Sequence, residues 1–167
     1  MIKIYTDGSA KNNGHENSYG GFGVIILKDN KIIYKHSEFY NNVTNNQMEL
    51  KALIHAFDYI KNILNESEEF EVYSDSAYCV NICNDWIHKW VANGWKRSKN
   101  KSIENLDLIK KLYSYTIYIN TNFLKSQVVN KCSGHNNIIG NELADALATA
   151  NIKKFNEIIK KNNIKER

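Results

Sequence analysis

Proline is absent from the 167 residues, while asparagine, lysine, isoleucine and tyrosine are plentiful. A codon bias toward A and T accounts for this without a structural cause. Cysteine is scarce: Cys79, Cys83 and Cys132 are odd in number and include no C-x-x-C pair. That excludes a disulfide framework and a zinc knuckle, and a reducing, cytoplasmic setting is expected. No apolar run approaches the ~18 residues of a membrane span. Met1-Ile-Lys-Ile leads straight into a strand pattern with no apolar h-region, so neither a membrane partner nor a signal peptide is expected. What remains is the length and composition of one globular domain, 43% hydrophobic and 24% charged.

The net charge of +4 is unevenly spread. Between Trp86 and Ile103 stand five bases (Lys89, Lys96, Arg97, Lys99, Lys101) and no acid, and residues 152–167 carry six bases against two acids. The rest of the chain is therefore acidic, near −5. Trp86, Trp90 and Trp95 lie within or beside the first basic stretch. Cationic stems and flat rings together suit a phosphate backbone and exposed bases; the alternative is a helix edge with one or two of the tryptophans in the core. The C-terminal basic segment reads first as a solvated helix face and second as a further nucleic-acid contact.

Alternating patterns predict strands over 2–7, 20–27, 31–39, 70–75 and around 126–132, with Lys28-Asp29-Asn30 as a hairpin turn. Helical spacing predicts helices over 45–64, 76–84, 104–115 and from Asn141 onward through Ile152 and Phe155, the first capped by Thr44 or Asn45. Three strands followed by alternating helices and strands make an α/β fold, a mixed sheet with helices on both faces. The Asp7-Gly8 pair closing the first strand reads as a turn, unless Asp7 has other work.

Four acids argue that it does. Asp7 and Asp75 close predicted strands that lie side by side, Glu49 shares a helix face with Leu53, Ala56 and Ile60, and Asp145 is set among Ala144, Ala146 and Leu147. A desolvated carboxylate is costly unless paired or metal-bound, and no cationic partner stands out in the sequence. An all-carboxylate set suits hard cations such as Mg²⁺ or Mn²⁺ rather than zinc. Two such ions about 4 Å apart are the usual arrangement for in-line displacement at phosphorus. Acidic pocket, basic flank and tryptophans together point to phosphodiester cleavage in nucleic acid. His15, His36, His55 and His88 are scattered and read as surface or packing residues, and Cys79 and Cys83 read as core.

The segments TDGS (6–9), TNNQMEL (44–50), YSDS (73–76) and SGHNNIIGNELAD (133–145) resemble, in order and spacing, those of type 1 ribonucleases H. The resemblance spans residues 1–150, as one catalytic domain, with 151–167 as a basic helical extension. It implies a five-stranded mixed sheet in order 3-2-1-4-5. It also implies two Mg²⁺ ions (Mn²⁺ as a substitute) on Asp7, Glu49, Asp75 and Asp145, His135 aiding proton transfer or product release, and Glu142 holding substrate or metal near the scissile phosphate. DWIHKWVANGWKRSKNK resembles the basic handle of the cellular enzymes, spanning 86–103, so Trp86, Trp90, Trp95, Lys96, Arg97 and Lys99 are expected to grip the DNA strand. By the same resemblance Thr44 and Asn105 hold a DNA phosphate, and Asn45 and Asn46 touch the RNA strand. The implied substrate is an RNA–DNA hybrid, cut in its RNA strand to leave 5′-phosphate and 3′-hydroxyl ends by a monomer without a separate hybrid-binding domain. Asn42, Ala77 and the proline-free stretch AKNNGHENSYGGFG depart from the family pattern near the substrate positions. Two rivals remain open: a weak or inactive hybrid-binding protein, and a sister nuclease of the same fold, such as a resolvase or integrase core.

Overall fold

A computed structural model describes residues 1–125, 127–133 and 138–166. Three antiparallel strands, β1 (Ile2–Lys11), β2 (Tyr19–Lys28) and β3 (Lys31–Asn41), lead into α1 (Asn45–Ile63) and β4 (Phe70–Ser74). A helical run follows, α2 (Ala77–Asn81), a π-turn (Ile82–Trp86) and α3 (Ile87–Ala92), and then α4 (Leu106–Phe123) and β5 (Asn130–Lys131). The chain closes with α5 (Ile139–Ala148), α6 (Ile152–Lys161) and β6 (Lys165–Glu166). The sheet order is β5-β4-β1-β2-β3-β6. Its five-stranded core has the expected order 3-2-1-4-5, and β6, which no sequence pattern announced, extends it beside β3. Among the described residues no helix is long and apolar enough to cross a membrane.

Alternation along the strands sorts the core into two layers. Ile2, Ile4, Phe22, Val24 and Ile26 pack with Met48, Leu53, Phe57 and Ile60 of α1 on one face. Tyr5 and Ile25 pack with Leu143, Ala146, Phe155 and Ile158 on the other. The basic C-terminal segment is therefore half core: Phe155, Ile158 and Ile164 are buried. It is also a helix of its own. The expected single helix from Asn141 through Phe155 breaks after Ala148, where Ala150 takes φ +53° and Asn151 caps the next helix by accepting from Lys154 N at 3.0 Å.

The turn reading of Asp7-Gly8 is corrected. β1 runs straight through both, pairing Asp7 with Gly23 and Gly8 with Phe22, and ends only at Lys11. The glycine serves a close approach instead: a Cβ at position 8 would lie 2.2 Å from Glu49 N and 2.5 Å from the Met48 carbonyl carbon, both backbone atoms. Gly8→Ala is expected to cost about 3 kcal/mol, since the clash is with a packed helix rather than a movable side chain. Urea unfolding checks this as a lowered midpoint at unchanged m. The hairpin turn is as expected, with Asp29 and Asn30 both at positive φ (51° and 57°), the pairing that a two-residue type I′ turn requires.

Candidate active site

Parallel pairing of β1 with β4 ends at Thr6 opposite Ser74. The next residue on each strand is an aspartate, so Asp7 and Asp75 emerge side by side at the same edge. Asp7 is 7% exposed, and Gly8 N donates to its Oδ1 at 2.9 Å. Glu49 arrives from the other layer. Thr44 accepts from Gln47 N at 3.2 Å while Gln47 Oε1 accepts from Thr44 N at 2.9 Å. This capping box fixes where α1 starts, and hence which face Glu49 presents. The bare backbone at Gly8 lets that face reach the aspartates. On α5, Asn141, Glu142 and Asp145 share one side by their three- and four-residue spacings. All of them border a cleft of about 270 Å³ together with Asn45.

Carboxylate oxygens of Asp7, Glu49 and Asp75 all lie within 4.8 Å of one another. Repulsion on this scale shows in their chemistry. Burial first, then the charges of Asp75 and Asp145, push the Asp7 carboxyl up to about 8. Burial first, then Asp7 and Asp75, hold Glu49 well above its ordinary range. Glu49 Oε2 is buried with no hydrogen-bond partner. A buried, unpartnered carboxyl oxygen crowded by two aspartates is what a hard divalent cation would satisfy, so the donor set fits the metal implied by the sequence.

The absence of a cationic partner in the sequence reading is corrected by Lys154. Its Nζ stands 2.5 Å from Asp145 Oδ2, delivered by the break between α5 and α6. Lys131 reaches the same edge, donating to the Asp75 carbonyl. Asn141, 4% exposed, donates to Asp75 Oδ2 at 3.1 Å and orients it. Nothing in the sequence marked Lys154, which lies nine residues past Asp145. Asn141 could have been found from its i−4 position to that aspartate. His135 lies outside the described residues.

The expected substrate positions are distributed as follows. Asn45 is tied by its Oδ1 to Ala10 N and its own N–H to Asn13 Oδ1 at 3.0 Å, which sets its side chain at the rim of the cleft. Asn46 is exposed next to it, and the Thr44 hydroxyl is the α1 cap. Asn105 takes φ +56° and donates to the Tyr78 hydroxyl at 3.4 Å. The tryptophans separate. Trp86 and Trp90, ring centroids 5.8 Å apart, line a groove of about 480 Å³ with Tyr78 and Arg97. Trp95 instead packs edge-on against Tyr113 of α4 at 5.5 Å, with Lys110 Nζ over its ring. Lys96, Arg97 and Lys99 are exposed, whereas Lys89 is paired with Asp85 at 2.6 Å.

Residues 1–153 match the RNase H family model. The ribonuclease H of Acetivibrio thermocellus is 37% identical, the match covering 92% of this chain and 95% of that protein. Among solved structures, LC9-RNase H1, a type 1 RNase H with the type 2 active-site motif, superposes with a TM-score of 0.67 at 25% identity, covering 99% of this chain and 86% of that one. LC11-RNase H1, solved in complex with an RNA/DNA hybrid, superposes with a TM-score of 0.56 at 23% identity, covering 96% of this chain and 98% of that one. A sheet of the implied order, an acidic cleft where the pairing of its two central strands ends, and these likenesses lead to one conclusion: the chain belongs to the ribonuclease H family.

Proposed function

We propose that this ribonuclease H hydrolyses the RNA strand of RNA–DNA hybrids with two Mg²⁺ ions held by Asp7, Glu49, Asp75 and Asp145, leaving 5′-phosphate and 3′-hydroxyl ends. The observation that carries the proposal is the crowded trio of buried Asp7 and Glu49 with half-buried Asp75, and an orphaned oxygen on Glu49. When bound, such ions supply an acidified attacking water and neutralise the leaving oxygen. Asn141 fixes the rotamer of Asp75, and the capping box fixes the approach of Glu49. Asn45 and Asn46 stand at the N-terminus of α1, able to donate to a 2′-hydroxyl, the group that distinguishes RNA from DNA. The hybrid bound by LC11-RNase H1 on this same fold supports the choice of substrate.

The test is cleavage of labelled hybrid, duplex DNA, duplex RNA and single strands with Mg²⁺. Cleavage confined to the RNA of the hybrid is expected. Cutting of duplex DNA, or binding to hybrid without cleavage, would overturn the proposal.

Lys154 should act on metal entry. Its ammonium neutralises Asp145, so a cation drawing on that carboxylate must displace it. Lys154→Met is expected to tighten Mn²⁺ binding roughly fivefold, equivalent to losing an ion pair worth about 1 kcal/mol. Calorimetric titration measures this directly, and weaker binding in the variant would show that the lysine assists the site instead.

A further inference from the structure

The sequence scatters its histidines, yet the fold stacks two of them. His36 and Glu38 alternate on β3 and so share one of its faces. His55 faces them from α1. The His36 and His55 rings are parallel within 9°, centroids 3.8 Å apart, and His36 Nε2 lies 2.9 Å from Glu38 Oε1. One donor atom from each of the three residues lies within 4.8 Å of the other two. None of the three borders the acidic cleft.

We propose that His36, Glu38 and His55 form a second metal site, for Zn²⁺, that staples β3 to α1. Two imidazoles and one carboxylate are a zinc donor set, with a water completing the tetrahedron, and they differ in kind from the hard all-carboxylate cleft. Around a tetrahedral zinc at 2.0–2.1 Å, neighbouring ligand atoms stand about 3.3 Å apart. The 2.9 Å between His36 Nε2 and Glu38 Oε1 is close to that value, and rotation of the two rings out of their parallel stack lets their in-plane lone pairs converge. Orienting partners are already in place. The Tyr34 hydroxyl bonds His55 Nε2 at 2.7 Å, and the Tyr40 hydroxyl donates to Glu38 Oε2. Outer hydrogen bonds of this kind orient metal ligands. They leave Glu38 Oε1 and the second nitrogen of His55 for the ion. The ion has a way in, because the Glu38 side chain is 45% exposed and borders an open groove with His55.

Titration of the full chain with ZnCl₂ in saturating MgCl₂, which keeps the acidic cleft filled, tests the site. One equivalent is expected to bind, at least tenfold more weakly to His36→Ala and Glu38→Gln, while Mg²⁺-dependent cleavage by both variants is unchanged. The wild-type Tm should rise with the logarithm of zinc concentration. In the unsubstituted protein, zinc should shift the ring NMR signals of His36 and His55, a readout that needs no variant to fold. Equal zinc affinity in wild type and variants, unmoved histidine signals, or binding abolished by Asp7→Asn rather than by His36→Ala would each overturn the proposal.

Discussion

Asp7→Asn is expected to lower Mg²⁺-dependent hybrid cleavage roughly thousandfold while raising the Tm of the metal-free protein. The two effects have one cause. Asparagine keeps the shape and can still accept from Gly8 N, but it removes the charge that would hold metal, and with it transition-state stabilisation of several kcal/mol. The same charge is a liability without metal: burial first, then the charges of Asp75 and Asp145, push the carboxyl up to about 8. Between pH 4 and 8 the folded protein keeps a proton on Asp7 that the unfolded chain has released, so stability is fullest at the acid end and is lost as pH rises through the folded value. In EDTA, wild-type Tm should therefore fall from pH 4 to 8, and the variant should fall less. At pH 8 each ~1 kcal/mol of relief would raise its Tm by roughly 2–4 °C. Mg²⁺ should stabilise the wild type and leave the variant nearly unmoved. Thermal scans with and without metal decide the matter: an Asp7→Asn protein that cleaves at near-normal rate, or one less stable than wild type in EDTA, contradicts the assignment.

Much of this arrangement was legible in the chain because its signals are local. Ile2, Ile4 and Thr6 alternate, Leu53, Ala56, Phe57 and Ile60 recur at helical spacing, and each pattern survives burial on one face. Asp7, Glu49, Asp75 and Asp145 stood out because each interrupts such a pattern with a charge. What escaped is what only tertiary packing decides. Asp-Gly looks the same in a turn as in a strand; the helix backbone at Met48 and Glu49, far along the chain, is what demands Gly8. The end of α5 was hidden because Ile152 and Phe155 keep the apolar period while Ala150 turns the chain through positive φ. That break is also what brings Lys154 back to Asp145. β6 is a polar Lys-Glu pair with no period to read, and it exists only because β3 offers it an edge. The π-turn over Ile82–Trp86 joins two predicted segments into one helical run, and its wider turn alters which side chains align. Trp86 and Trp90, four residues apart at the start of α3, share the groove, whereas Trp95, beyond Gly94 at φ +60°, turns onto α4.

Replacing Lys96, Arg97 and Lys99 together with alanine is expected to raise KM for hybrid at least tenfold at physiological salt and leave kcat nearly unchanged. The acidic cleft repels a polyanion, and most of the chain outside the two basic segments adds to that repulsion. Attraction must come from cations that are free to meet phosphates. Lys89 is committed to Asp85, and Arg97 borders the groove lined by Trp86 and Trp90, where ring faces and a guanidinium suit a sugar–phosphate strand. The loop itself is held from within: the Asn93 side chain donates to the Lys96 carbonyl at 2.9 Å, and Arg97 N donates to the Lys101 carbonyl at 2.9 Å. Both hydrogen bonds spare the side chains to be replaced, so the fold and Tm should be unaffected. Each phosphate that is no longer neutralised lowers the slope of log K against log salt by about 0.7–0.9, so the triple variant should flatten it by roughly 2–3. Because these residues lie outside the cleft that holds Asp7 and Glu49, saturating hybrid should restore turnover and Mn²⁺ should not rescue the KM. A fall in kcat at unchanged KM would place the loop in the chemical step; an unchanged slope with unchanged KM would leave the attraction to the Lys-rich face of α6.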